Sequence, residues 1–404
     1  MANNNENKVL NVPHLRFPEF SGEWEMVSLQ DIATINPKSD PLQNTFIYID
    51  LEAVEKGELR KIQEIMREEA PSRAQRVIDN NDILFQCVRP YQKNNYIHRI
   101  LNTSNQQWVA STGYAQIRTT ELPNYIYHLL NTDEFNRKVM VRCTGSSYPA
   151  INSEDLATIH LYYTPDKKEQ LKISRLLDLL DKRIATQNKI IEKYESLIQA
   201  MCDTLIESEQ HKVELAFSDF GKSYSGLSGK SAEDFGEGCP YITYMNVYQN
   251  QIINATNVGL VKINGAEQQS VVHYGDILFT LSSETAEEVG IGAVYLGDTY
   301  PLYLNSFCFG IHIIDDNKIF PPFLAFYVST KSFRKVVFPL AQGSTRFNLQ
   351  KNDFMKKGFS FPTVERQRKI YSALKTYSDK LAVEKSIAKL LCKQKNHLLS
   401  KLFI

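Results

Sequence analysis

Two short loops in the sequence carry groups suited to binding a polyanion. They are Gly145-Ser146-Ser147-Tyr148 and Gly343-Ser344-Thr345-Arg346. Glycine permits a tight turn, and hydroxyls, backbone N–H groups and a guanidinium are the groups that bind phosphate or the edge of a guanine. We predict that both loops contact nucleic acid, although a purely structural turn explains each of them equally well.

A further candidate pair, Arg89 and Tyr91, lies in the first half of the chain. These residues belong to Val88-Arg89-Pro90-Tyr91, soon after the apolar run Asp82-Ile83-Leu84-Phe85. We predict that both side chains project into a groove. The second-half segment Thr280-Leu281-Ser282-Ser283 lacks the arginine, which is expected of two domains that bind different ligands.

Motifs of catalytic and cofactor sites are absent or incomplete. Gly229-Lys230-Ser231 ends like a phosphate-binding P-loop, but Tyr224 occupies the position of its first glycine. Gly290-Ile291-Gly292 begins a dinucleotide-binding loop that fails at Tyr295, and no H-E-x-x-H or G-x-S-x-G motif occurs. We therefore expect no catalytic residue, no metal site and no cofactor on this chain.

The composition indicates a protein with more than one domain. The chain has 404 residues, 43% hydrophobic and 23% charged, which is enough apolar material for two cores. No run of about 18 apolar residues occurs, and the Asn-rich start has no apolar stretch, so we expect neither a membrane span nor a secretory signal. The six cysteines have no C-x-x-C spacing, which favours free thiols and a cytoplasmic location.

The charges are balanced overall but unevenly distributed. The 46 basic and 46 acidic residues cancel, yet residues 362–404 hold 10 basic and 3 acidic residues. Both preceding globular regions have a slight acidic excess. A chain that bound nucleic acid tightly by itself would usually carry a basic excess over its binding face. We therefore expect local basic patches, or a partner that supplies charge.

The two halves carry the same landmarks in the same order, which indicates a duplicated domain. Asp82-Ile83-Leu84-Phe85 recurs as Asp276-Ile277-Leu278-Phe279, 194 positions later, and the Gly-Ser loops recur after 198 positions. Each repeat begins with short β-rich runs mixed with short helical patterns. Each ends in a long helix, opened by Pro165 or Pro362, in which no further proline or glycine occurs.

Both long helices carry an apolar seam with alternating steps of four and three, as in a coiled coil. We assign to it Ile173, Leu177, Leu180, Ile184, Gln187 and Ile191 in the first helix, and Leu374, Leu381, Glu384 and Leu391 in the second. Antiparallel packing would bury both seams, with one globule at each end and a pseudo-two-fold axis between them. The polar Gln187 and Glu384 either fix the register or mark a point where the helices splay.

Several segments, in this order, resemble one protein family. They are Arg16-Phe17-Pro18-Glu19-Phe20 with Trp24 and Leu29, then Asn81-Asp82-Ile83-Leu84-Phe85 with Val88-Arg89-Pro90, then Ala110-Ser111-Thr112-Gly113, and Phe235-Gly236-Glu237-Gly238-Cys239-Pro240-Tyr241-Ile242. The chain resembles the specificity (S) subunits of type I restriction-modification systems from about residue 14 to its end. No single motif is decisive, but their duplicated order is specific.

The resemblance implies an α+β fold with two mixed α/β target recognition domains joined by two long helices packed as an antiparallel coiled coil. The implied boundaries are 1–13 for a polar extension, 14–163 for the first domain, 164–208 for the central helix, 209–361 for the second domain and 362–404 for the C-terminal helix. In that family each domain reads one part of an asymmetric, bipartite double-stranded DNA site, and the helices set the gap.

The same resemblance implies partners. Two modification subunits bind the helices and carry the S-adenosylmethionine chemistry, and restriction subunits add ATP- and Mg-dependent translocation and cleavage. We therefore expect a non-catalytic, DNA-reading subunit in which Arg89, Tyr91 and the two Gly-Ser loops touch DNA. The alternative is a scaffold or decoy that binds modification subunits without reading DNA.

Overall fold

The computed structural model describes residues 11–99 and 106–404, which form two compact units. Unit 1 comprises the described residues up to Asn188 together with Ser386–Ile404, and unit 2 comprises Lys189–Lys385. Each unit contains one globule and one half of each long helix. Residues 1–10 of the expected 1–13 extension lie outside the described residues.

The globule of unit 1 is built from short strands, four short helices and the start of a long helix. Its strands are β1 (Glu25–Ser28), β2 (Ala33–Ile35), β3 (Thr45–Ile49), β4 (Val54–Glu55), β5 (Glu58–Leu59), β6 (Gln63–Met66), β7 (Ala74–Ile78), β8 (Ile83–Gln86), β9 (Tyr96–Ile97), β10 (Gln107–Ser111), β11 (Tyr114–Thr119) and β12 (His160–Tyr163). Its helices are α1 (Leu29–Ile32), α2 (Pro123–Leu130), α3 (Asp133–Arg142) and α4 (Ser153–Ala157), followed by α5 (Lys167–Glu207).

Two four-stranded sheets, ordered β6-β3-β10-β7 and β2-β11-β8-β9, form the centre of this globule. Strand β8 is the apolar run found in the sequence, and every one of its residues is buried. Its Phe85 packs edge-on against Phe135 of α3. A run that is apolar at consecutive positions is expected where a strand is covered on both faces.

Unit 2 repeats this plan with β13 (Lys212–Ala216), β14 (Gly221–Ser225), β15 (Phe235–Ile242), β16 (Val258–Val261), β17 (Ile277–Thr280), β18 (Ser282–Ser283), β19 (Gly292–Val294), β20 (Tyr303–Leu304), β21 (Cys308–Ile313), β22 (Ala341–Gln342), β23 (Phe347–Leu349) and β24 (Gly358–Pro362). Its helices are α6 (Tyr244–Gln249), α7 (Pro321–Tyr327), α8 (Lys331–Val337), α9 (Lys351–Lys356) and α10 (Val364–Leu402). The main sheets are ordered β14-β21-β17-β19, β16-β15-β20 and β18-β23-β22.

The duplication extends to the register of the strand pairs. In unit 1, Ile83 pairs with Ile117, and in unit 2, Ile277 pairs with Ile311. All four residues are 194 positions from their counterparts. The predicted fold class, two duplicated mixed α/β globules with two long helices, is confirmed.

The core of unit 2 is rich in phenylalanine. The fully buried Phe217 has six phenylalanine rings with centroids 5.0–6.4 Å away, those of Phe220, Phe279, Phe333, Phe354, Phe359 and Phe361. Aromatic rings that meet edge-on or offset contribute attraction beyond the area that they bury. This cluster joins strands β17 and β24 to helices α8 and α9.

In unit 1 the halves of the long helices run antiparallel. Ile173 and Leu177 near the start of α5 share a core cluster with Leu402 near the end of α10. Farther along α5, Asp181 pairs with Lys395 at 2.5 Å. Advancing along α5 therefore means moving back along α10.

Unit 2 shows the same direction. Cys202 and Ile206 of α5 lie in one core cluster with Ile370 of α10, and Lys385 pairs with Glu195 at 2.7 Å. The seam residues assigned from the sequence are all buried or half-buried. Gln187 and Glu384 are buried as well, and their effect on register stays a prediction.

Polar contacts attach each globule to its helix halves. In unit 1 the fully buried His128 of α2 lies 2.8 Å, Nε2 to Oδ1, from Asp178 of α5. Burial raises the pKa of Asp178, but hydrogen bonds from His128 and Asn124 outweigh it, and the net pKa is lowered. In unit 2 the carboxylate of Asp203 accepts the backbone N–H of Lys331 at 2.9 Å.

Within the described residues, no helix is long and apolar enough to cross a membrane.

Candidate functional site

The first Gly-Ser loop is the tip of a hairpin beside the end of β8. Thr144 and Ala150 exchange both backbone hydrogen bonds at 2.9 Å, which closes the loop between them. Gly145 has φ +90°, and a Cβ there would lie 3.0 Å from the carbonyl oxygen of Tyr148. The positive φ and the close carbonyl would both strain any other residue, so the turn favours glycine. Ser146, Ser147 and Tyr148 are exposed.

The structure brings Arg89 onto this loop. The backbone N–H of Arg89 donates to the carbonyl of Pro149 at 2.8 Å, and Arg89 takes the left-handed conformation with φ +55°. Its guanidinium lies 4.3 Å from the centre of the Tyr148 ring. Stacking on a ring fixes the orientation of a guanidinium, while its N–H groups stay free to bind a phosphate or a guanine edge.

Arg89 and Tyr148 line a cleft of about 700 Å³ in unit 1. Its wall also contains polar groups that the sequence interpretation missed, among them Arg73, Gln86 and Gln92. Gln86 donates to the side-chain oxygen of Gln92 at 2.9 Å. Amide and guanidinium side chains are those that read base edges. The predicted Tyr91 is exposed and does not line this cleft.

The second Gly-Ser loop occupies the equivalent hairpin of unit 2. Strands β22 and β23 pair through Gln342 and Asn348, the counterparts of Thr144 and Ala150. Gly343 has φ +142°, and a Cβ there would lie 2.1 Å from the carbonyl oxygen of Arg346. Ser344, Thr345 and Arg346 are exposed.

The two hairpin regions have the same backbone pairing but carry different side chains at equivalent positions. Ser283, which stands where unit 1 has Arg89, pairs with Phe347 of the hairpin and donates to Glu288 at 3.2 Å. Arg346 stands where unit 1 has Tyr148, and its guanidinium lies 5.8 Å from the centre of the Phe307 ring. Each unit thus places one guanidinium beside an aromatic ring, from the turn that follows β8 in unit 1 and from the loop tip in unit 2.

Two other arginines near the hairpins bind backbone carbonyls of the protein itself. Arg142 donates to the carbonyl of Asp155 at 2.7 Å. Arg334 donates to the carbonyls of Gly290 and Val289 at 2.8 and 2.7 Å, and burial lowers its pKa. These arginines hold loops in place, which leaves Arg89 and Arg346 as the better candidates for contact with a ligand.

Comparison with known proteins identifies the repeated unit. The family model of the type I restriction modification DNA specificity domain matches residues 21–196 and 218–391, once in each half. A curated relative, the HindI type I restriction enzyme specificity subunit of Haemophilus influenzae, is 24% identical over 186 residues, or 45% of this chain. The match spans 37% of that relative's length.

Two solved structures share the fold. One comes from a study of complex assembly and conformational transition of the type I R-M system, with a TM-score of 0.55, 20% identity and coverage of 94% of this chain and 97% of that one. The other is the type I restriction-modification S subunit from M. genitalium, with a TM-score of 0.55, 16% identity and coverage of 97% and 99%. The resemblance found in the sequence is thereby confirmed, and the chain belongs to the type I restriction modification DNA specificity domain family.

Proposed function

We propose that this chain is the non-catalytic, DNA-sequence-reading subunit of a type I restriction-modification complex. Each globule reads one part of an asymmetric, bipartite double-stranded DNA site. The observation that carries the proposal is that equivalent positions of the two duplicated hairpin regions hold different side chains. Unit 1 has Arg89 and Tyr148 where unit 2 has Ser283 and Arg346. Two domains with the same backbone and different groups at the same place are suited to two different half-sites.

The guanidinium beside or on each hairpin, half-buried for Arg89 and exposed for Arg346, is suited to a base edge or a phosphate. Arginine binds the O6 and N7 atoms of guanine through two parallel hydrogen bonds, the commonest specific contact in the major groove. In unit 1 the amides of the adjoining cleft add donors and acceptors. The chain has no net charge, so partner subunits that also contact DNA would supply much of the salt-dependent affinity.

The long helices are the proposed docking surface for two modification subunits. Large apolar side chains stay exposed along them, including Leu171, Leu179 and Leu390 in unit 1 and Leu197 in unit 2, which are 43–61% exposed. Such residues are suited to an interface with another protein. S-adenosylmethionine, ATP and Mg would then be bound by modification and restriction subunits, and the complex would act on DNA in the cytoplasm.

The helices are also the proposed ruler between the two half-sites. Four residues inserted near Gln187 add about one helical turn, roughly 6 Å. We expect the modified site to keep both half-sequences and to change the gap between them. If the altered chain directs methylation to the original gap, the helices do not set it.

The central test is a methylation map of DNA from cells that express this chain with its modification subunit, read by single-molecule sequencing. The control lacks this chain. We expect a new two-part asymmetric motif with a fixed gap. An unchanged map, with formation of the complex verified by co-purification, would refute DNA reading and support the scaffold alternative.

A further inference from the structure

Three side chains of unit 2 converge at the start of β17 and the end of β21. They are His273, Asp276 and His312, whose nitrogen and carboxylate oxygen atoms all lie within 4.8 Å of one another. Asp276 is buried, His312 is half-buried and His273 is exposed. The two histidines are far apart in the chain, and the pairing of β17 with β21 brings them together.

The buried carboxylate of Asp276 is held in a fixed orientation. Its Oδ1 lies 2.8 Å from Nδ1 of His312. Because the carboxylate can only accept, Nδ1 carries the hydrogen. Its Oδ2 accepts the hydroxyl of Tyr224 at 2.7 Å and the backbone N–H of His273 at 2.9 Å. The Tyr224 ring stacks on that of His312 with centroids 4.3 Å apart.

Unit 1 has a cation at the equivalent place. Asp79, Asp82 and Arg118 stand 194 positions before His273, Asp276 and His312. Arg118 binds both oxygens of Asp82 at 2.8 Å and Oδ2 of Asp79 at 2.5 Å. Its hydrogen bond with Asp82 raises the pKa of Arg118, so the guanidinium is a permanent positive charge between two carboxylates.

In both units the carboxylate also accepts the backbone N–H of the residue three positions before it, Asp79 at 2.7 Å in unit 1 and His273 at 2.9 Å in unit 2, but the side-chain donor differs. In unit 1, Gln116 donates to Oδ2 of Asp82 at 2.7 Å. Its counterpart in unit 2 is Gly310, where a Cβ would lie 2.1 Å from the Tyr224 ring, because Tyr224 fills this space and donates instead. The buried aspartate is kept, whereas the guanidinium of Arg118 and the carboxylate of Asp79 are replaced by two imidazoles.

We propose that His273, Asp276 and His312 bind one transition-metal ion of the zinc class, which takes the place of the Arg118 guanidinium. Two imidazole nitrogens and one carboxylate oxygen are a ligand set that zinc accepts, with water completing the tetrahedron. The ion replaces the hydrogen between Nδ1 of His312 and Oδ1 of Asp276, and the imidazole then carries its hydrogen on Nε2.

The required rearrangement is small. Ligand atoms around a tetrahedral zinc lie roughly 3.4 Å apart, given bonds of about 2.1 Å. The 2.8 Å contact between His312 and Asp276 must open slightly, and the exposed ring of His273 must turn inward. The side chain of His312 is 33% exposed, so the site is open to solvent from the side of His273, where the water ligand would bind.

The test is a titration of the metal-free full-length chain with Zn²⁺, followed by calorimetry, and with Co²⁺, followed by its visible absorption. His312→Arg installs the cation of unit 1, and His273→Asn removes an exposed ligand with little risk to folding. His211→Asn and Cys392→Ser change exposed groups elsewhere and serve as controls.

We expect one Zn²⁺ per chain, an affinity about tenfold or more weaker in His312→Arg and in His273→Asn, and no change in the two controls. A chelator should lower the melting temperature of the wild-type chain but not that of His312→Arg, which has its own cation. The proposal fails if the wild-type chain binds no Zn²⁺, or if His273→Asn binds it as tightly as the wild type.

Discussion

The guanidinium on the hairpin of unit 2 allows a sharp test of how the two globules divide the reading of DNA. Arg346 is exposed, and its guanidinium lies 5.8 Å from the centre of the Phe307 ring. At an exposed site such a contact is worth about 0.5–1 kcal/mol. Arg346→Ala should therefore leave the fold intact. A bidentate contact with guanine is worth about 1–3 kcal/mol of discrimination, or roughly 5- to 150-fold.

The assay is the methylation map of complexes carrying the wild-type chain, Arg346→Ala or Arg346→Lys. We expect Arg346→Ala to relax one base position in one half-site and leave the other half-site unchanged. Lysine keeps the charge but not the planar fork, so Arg346→Lys should relax the same position. Arg89→Ala is the matched variant of unit 1 and should relax the other half-site.

Three outcomes would refute this reasoning. Weaker methylation at every sequence, restored by Arg346→Lys, would make Arg346 a phosphate contact that carries no sequence information. A wild-type map for Arg346→Ala would remove the hairpin of unit 2 from the DNA interface. Changes in both half-sites from one substitution would contradict the division of reading between the globules.

Three further predictions concern the stability of the chain, measured by urea unfolding. Gly229 has φ +67° and open space around it, so Gly229→Ala should lower the free energy of unfolding by about 1–2 kcal/mol. Gly343→Ala should lower it further, because its Cβ would meet the Arg346 carbonyl. Equal losses for the two variants would show that the second Gly-Ser loop adapts freely. Burial lowers the pKa of His98 from 6.5 to about 4, so the unfolded chain binds this proton more tightly than the folded chain. The free energy of unfolding should therefore fall by about 3 kcal/mol as the pH is lowered from 6.5 to 4. His98→Phe should remove this part of the pH dependence. Phe217→Ala should cost about 3–5 kcal/mol, and a loss under 1 kcal/mol would mean that the aromatic core closes around the gap.

The architecture could be predicted because its determinants are local and occur twice. The run Asp82-Ile83-Leu84-Phe85 is a strand by composition alone, and its recurrence at Asp276-Ile277-Leu278-Phe279 indicates the duplication. The long helices follow from a seven-residue apolar pattern without proline. At the helix ends the heptad pattern is less informative, because Cys202 and Ile206 pack against the core of unit 2 and not only against α10.

The candidate site could be predicted only in part, because its contacts join distant segments. Arg89 and the first Gly-Ser loop were separate candidates, and the hydrogen bond from Arg89 to Pro149 brings them together. Arg73 and Gln92 were missed because they belong to no motif and meet only on the wall of a cleft. Tyr91 was predicted to share a groove with Arg89, but it does not line the cleft that Arg89 lines, and its contact with DNA stays a prediction.

The histidine group was missed for a related reason, although the sequence held a signal for it. A search for metal-ligand spacing fails because β-sheet register, not sequence distance, pairs His273 with His312. Aligning the repeats at the offset of 194 places these histidines opposite Asp79 and Arg118, an ion pair opposite two imidazoles. For a duplicated chain, a pair of polar residues that differs in chemical type between the aligned repeats therefore indicates a candidate site better than the spacing of ligand residues along the sequence.

The same comparison of repeats explains how a duplicated chain could read an asymmetric site. Residues that define the backbone are kept, such as Gly145 and Gly343 at the hairpin turns and Asp82 and Asp276 before the central strands. Side chains that point away from the core are free to change because they contribute little to folding. Selection on DNA sequence can then alter one globule without disturbing the other, since the hairpin of each unit is closed by its own hydrogen bonds. The guanidinium comes from the turn after β8 in unit 1 and from the loop tip in unit 2, and we infer that this is a difference in specificity rather than in fold.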